Sequence, residues 1–159
     1  MAATKTLLSA LAAAGLLVAC SSDPDPAAST AGAGAGSGSI RAGSQEDLVS
    51  NIGDRVLFDT DSSTVRGDQR TVLERQARWM GQHAQVQVMV EGHADERGTR
   101  EYNLALAQRR ANSARDLLVA GGVAGTRIQT ISYGKDRPDA LGSNEESWAR
   151  NRRAVTVVR

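Results

Sequence analysis

The stretch "EGHADERGTREYNLALAQRRA", Glu91 to Ala111, decides how the rest of the chain is read. Just upstream, "QVQVMVEG" alternates, putting Val86, Val88 and Val90 on one face of a strand. Downstream, Thr99 to Ala120 has the spacing of a long helix, and "GGV", Gly121 to Val123, closes it as glycines commonly do. The turn between strand and helix crowds His93, Asp95, Glu96 and Arg97 together. Such crowding fits a metal site, a catalytic dyad, a salt-bridged loop or a socket for a charged ligand.

The same two periodicities organise the remaining chain. Gln45 to Ile52 reads as a short helix and "RVLF", Arg55 to Phe58, as a short strand. Val72, Leu73, Ala77 and Met80 repeat at helical spacing within Gly67 to Gln82. "RIQTISYG" is a third strand, "NEESWARN" a short helix and "AVTVV" a last strand. The order β-α-β-α-β-α-β predicts an α+β domain: a mixed four-stranded sheet with helices packed on one face. This head is placed at 44–159, long enough for one core.

Composition narrows the function. The chain has 159 residues and a formal net charge of +1. Nucleic acid is therefore not expected as a partner, since its binders carry a basic stripe. Only His83 and His93 could serve as imidazole ligands, at opposite ends of a strand, so neither a metal nor another cofactor is expected. No Ser-His-Asp or Cys-His set stands out, although a carboxylate pair such as Asp59 and Asp95 is of the kind used in acid–base work.

The one cysteine excludes an internal disulfide. Lys5 precedes an apolar run from Leu7 to Ala19, too short for a bilayer span and suited to a signal segment. The run ends in "LVAC", which resembles the lipobox of bacterial lipoproteins. Residues 1–19 then form a lipoprotein signal peptide, and Cys20 carries the lipid. Ser21 comes next, a residue that by resemblance favours transfer to the outer membrane. Residues 20–43 are rich in Gly, Ala and Ser, the composition of a flexible linker, with a typical reach of roughly 27 Å.

Helical spacing places Asn103, Ala107 and Arg110 on one stripe. Asp95 falls in what reads as an exposed turn at the helix start, where backbone N–H groups and a positive dipole end are on offer. A carboxylate, a guanidinium and free amides suit a zwitterion. Spacing alone, however, favours a bland alternative, in which Asp95 and Arg110 pair with each other or Arg110 braces a loop.

"VLFDTDSS", "VEGHADERGTREYNLALAQRRA", "ISYGKDRP" and "NRRAVTVV" together resemble the peptidoglycan-associated lipoprotein family, whose heads are like the C-terminal domain of outer membrane protein A. The resemblance covers most of Val56 to Val158. It implies a domain that binds peptidoglycan non-covalently through the meso-diaminopimelate of the stem peptide. It assigns Asp95 to the ammonium and Arg110 to the carboxylate, with Asn103 and Thr99 in the same helix motif and Phe58 and Asp59 at the pocket rim. It also implies the Tol proteins as partners, TolB first among them, an outer-membrane lipid anchor, and a role in envelope integrity and cell division. The chain departs from the family at "VVR", where an aromatic often ends the last strand. It departs again at "GQHAQ", where proline is frequent, and at Ala107, where glycine is common. Two other readings stay open: a protein-binding periplasmic adaptor, and an enzyme acting on cell-wall peptide.

Overall fold

A computed structural model describes residues 40–159. The signal segment, Cys20 and most of the linker lie outside the described residues. The head begins with α1 (Gln45–Asp47), which continues as a π-turn over Leu48–Ile52. Ser44 caps it by accepting from the Asp47 N–H, the role in which serine excels. Next come β1 (Arg55–Leu57), α2 (Gly67–Gln82), β2 (Val88–His93), α3 (Arg100–Ala120), β3 (Ile128–Gly134), α4 (Glu145–Asn151) and β4 (Arg153–Val158). Phe58, expected in the first strand, lies one residue beyond it, although its N–H still donates to Arg152 O at 2.9 Å.

The sheet order is β1-β4-β2-β3. β2 and β3 run parallel, while β4 runs antiparallel to both β1 and β2. A parallel pair needs a crossover, and α3 supplies it. The alternation read in the sequence is realised in part: Val88 and Val90 are fully buried, whereas Val86 precedes the strand and is half-buried. Val56, Val88, Val90 and Ala154 from the sheet meet Leu73, Ala77 and Met80 of α2 and Ala111, Ala114 and Leu118 of α3. Aliphatic side chains make up most of this core, with Phe58 and Trp79 as its aromatic members, in a chain with only 3% aromatics.

A glycine in β2 lets α3 come close to the sheet beside the site. At Gly92 a Cβ would stand 1.9 Å from Ala107 O and 2.6 Å from Ala107 C, so only glycine lets the helix backbone rest on the strand there. One residue later, the β2–β3 register slips between Gly92 and His93. Gly92 pairs with Ser132 and His93 with Gly134, so the unpaired extra residue is Tyr133 and the bulge lies on β3.

Candidate ligand-binding site

Arg110 is 1% exposed, the largest of the fully buried side chains. Its guanidinium braces the loop after β1: Nε donates to Ser62 O at 2.8 Å and Nη2 to Asp59 O at 3.1 Å. Nη1 donates to His93 O at 3.0 Å. The Phe58 ring lies 5.3 Å from the guanidinium carbon, within cation–π range. Among the described residues no carboxylate forms an ion pair with it. Burial pushes its pKa down to about 10, with the negative charge of Asp95 pulling the other way. At neutral pH it remains a cation. A guanidinium has five N–H donors, and three are committed to carbonyls, so two remain.

Asp95 is only 7% exposed, which corrects the expectation of an exposed turn. Two arginines compensate it. Its Oδ1 accepts from Arg97 N and Arg97 Nε, each at 3.1 Å. Its Oδ2 accepts from Arg97 Nη2 at 2.7 Å and Arg152 Nη1 at 3.4 Å. Burial works to raise the Asp95 pKa, but the hydrogen bonds and charge of Arg97 outweigh it, so the group is held below the usual carboxylate range. Arg152 is itself anchored, donating to Phe58 O at 3.1 Å and to Glu145 Oε1 at 2.7 Å.

Asp95 and Arg110 therefore do not pair with each other. Instead, both line one cavity of about 190 Å³, together with Asn103, Thr60, Asp61, Arg97, Gly98, Tyr102 and Leu106. The turn between β2 and α3 is held from several sides. Asn103 Nδ2 donates to Arg97 O at 2.8 Å, Lys135 Nζ to Gly98 O at 2.7 Å, and Trp148 Nε1 to Glu96 Oε1 at 2.9 Å. Thr99 caps α3 by accepting from the Tyr102 N–H at 3.2 Å. The stripe read from spacing is real: Asn103, Ala107 and Arg110 are all buried.

The other expected residues serve the site from behind. Phe58 is buried beneath Arg110 and Thr99 is a cap, and neither lines the cavity. Asp59 contributes its carbonyl, while its carboxylate lies 3.5 Å from Arg66. Sequence reasoning missed Thr60, Asp61, Tyr102 and Leu106. Asp61 holds a positive φ of 55°, unusual outside glycine, and its carboxylate accepts from the Tyr102 hydroxyl across the cavity mouth. Leu106 stands three residues after Asn103, a helical signal that was available. Arg152, 57 residues from Asp95, left no local signal.

Residues 57–152 match the OmpA family, and that span contains every lining residue of the cavity. The chain belongs to the OmpA family. Over 116 residues, 73% of its length, it is 60% identical to a peptidoglycan-associated lipoprotein of Mesorhizobium japonicum, covering 69% of that protein. Over another 116-residue match, again 73% of the chain, it is 54% identical to the peptidoglycan-associated lipoprotein of Rhizobium meliloti, covering 66% of that protein. Among solved structures, the crystal structure of the peptidoglycan-associated lipoprotein from Burkholderia pseudomallei superposes with a TM-score of 0.67 at 39% identity. It covers 71% of this chain and 100% of that one. The four-stranded mixed sheet and its helices are thus the OmpA-like fold expected from the sequence.

Proposed function

We propose that the chain is an outer-membrane lipoprotein that binds peptidoglycan non-covalently, as a tether between membrane and wall and not as an enzyme. The ligand is the meso-diaminopimelate of the stem peptide, whose free end is a zwitterion. Its carboxylate takes the two unspent N–H groups of Arg110, and its ammonium goes to Asp95. The observation that carries this reading is the state of Arg110: a buried guanidinium on the wall of a cavity, with donors to spare and no carboxylate paired to it among the described residues. Leaving a buried cation uncompensated is costly, and an anionic ligand removes that cost. The N-terminus of α3 adds a positive dipole end beside the same turn.

Cys20 carries the lipid, the linker gives reach, and the turn from Asp95 to Thr99 serves as the surface shared with TolB and the Tol proteins. Relatives named as peptidoglycan-associated lipoproteins support the envelope role. Co-sedimentation of the full chain with purified sacculi, with and without free stem peptide, tests the reading. Pelleting that free stem peptide reverses supports it. A chain that stays in the supernatant would leave the adaptor reading in its place.

A further inference from the structure

The carboxylate of Asp95 is already full. A carboxylate offers about four acceptor sites. Arg97 N, Arg97 Nε, Arg97 Nη2 and Arg152 Nη1 occupy all four. An incoming ammonium must therefore displace one of these donors. The backbone N–H of Arg97 belongs to the turn itself, which Asn103 and Lys135 hold at neighbouring carbonyls. The side chain of Arg152 is 8% exposed and bound also to Phe58 O and Glu145. The side chain of Arg97 differs from both: it is 38% exposed and lines the cavity.

We infer that the Arg97 guanidinium is a built-in occupant of the ammonium subsite, an internal competitor that the ligand's ammonium has to displace. This rests on the binding reading proposed above and adds to it a residue that sets selectivity. The displaced group has a place to go. Its Cζ already lies 4.3 Å from the centre of the Trp148 ring, and its Nη1 is 4.0 Å from Glu145 Oε2. Its remaining polar contact is a 3.3 Å bond from Nη2 to Thr60 Oγ1. A guanidinium stacked on an indole and near a carboxylate loses little when it lets go of Asp95. Occupancy by Arg97 keeps Asp95 compensated in the empty site. It also makes the site discriminate, because only a ligand that brings its own cation can take over. A ligand with the carboxylate alone gains Arg110 but leaves Arg97 in place.

The test is calorimetric titration of the full chain in detergent with two stem peptides. One carries meso-diaminopimelate, and the other carries 2-aminopimelate, which keeps the far carboxylate and lacks its amine. The variants are Arg97→Gln and Arg97→Lys, each checked for an unchanged melting profile. Arg97→Gln is expected to bind the diaminopimelate peptide about 3- to 10-fold more tightly, the scale of a partly exposed ion pair. Its affinity for the 2-aminopimelate peptide should stay within about twofold of wild type, a split that mere loosening of the turn would not produce. Arg97→Lys, which restores a competing cation, should return towards wild type. Weaker or unchanged binding of the diaminopimelate peptide by Arg97→Gln overturns the inference, as does equal tightening of both peptides. If the wild-type chain binds neither peptide, the binding reading itself falls, and the inference with it.

Discussion

Replacing Arg110 with methionine keeps most of the side-chain volume and removes the three donors that tie α3 to the loop after β1 and to the end of β2. Asp59 O, Ser62 O and His93 O lose their partner, and the bond to His93 O is buried. Hydrogen bonds to a charged group contribute roughly 1.5–3 kcal/mol each, which gives about 4.5–9 kcal/mol for three. Against this, methionine escapes the cost of burying a guanidinium. The fall in pKa from 12.5 to about 10 sets that cost at about 3 kcal/mol. The net loss is then about 2–6 kcal/mol. For a domain of this size it lowers the melting temperature by roughly 8–25 °C. Urea denaturation followed by circular dichroism measures the loss directly. Arg110→Lys, with charge but no planar fork, should fall between wild type and methionine. A loss below about 1 kcal/mol for Arg110→Met would refute the bracing role, leaving Arg110 as a ligand contact alone.

Gly92→Ala drives a Cβ into main-chain atoms of Ala107 that cannot rotate away, and should cost about 3 kcal/mol or more. Gly67→Ala, with open space around the new methyl, should be close to neutral in the same denaturation series, and equal losses at the two sites would contradict the close approach of α3. Burial, aided by the nearby positive charge of Arg153, lowers the pKa of His93 to about 4. The unfolded chain takes up that proton near pH 6.5, before the folded one does. Stability is therefore full above about pH 6.5 and falls by about 3 kcal/mol as pH drops to about 4, then levels for this group. His93→Gln should flatten that slope in urea melts across the range, and an unaltered slope would assign the effect elsewhere. Cys20→Ala should abolish palmitate labelling and retention in outer-membrane fractions, and a labelled, retained variant would exclude Cys20 as the anchor.

The local rules carried most of the fold. Thr99 caps the long helix where the "GTREYN" pattern placed its start, and Asn144 caps α4 by accepting from the Ser147 N–H. Val88 and Val90 fall on one buried face because strand alternation is a local property. The stripe of Asn103, Ala107 and Arg110 was legible for the same reason. The partners of Asp95 and Arg110 were not. Arg110 spends its donors on carbonyls 48, 17 and 51 residues away, and backbone carbonyls carry no sequence signature. Asp95 meets Arg152, which arrives from beyond α4, 57 residues away, and such a contact has no local pattern. Arg97 stood in plain view beside Asp95, yet a two-residue separation does not say whether its side chain folds back onto that carboxylate or extends into solvent.

The sharpest test of the zwitterion socket is titration of the full chain in detergent with two stem peptides, one carrying meso-diaminopimelate and the other lysine in its place. Lysine keeps the side-chain ammonium and lacks the carboxylate assigned to Arg110. A charge-assisted contact of roughly 1.5–3 kcal/mol corresponds to about 10- to 150-fold in affinity. The socket predicts saturable binding of the diaminopimelate peptide and a loss of that size for the lysine peptide. Equal affinity for the two peptides, or no binding of either by a folded chain, would contradict it.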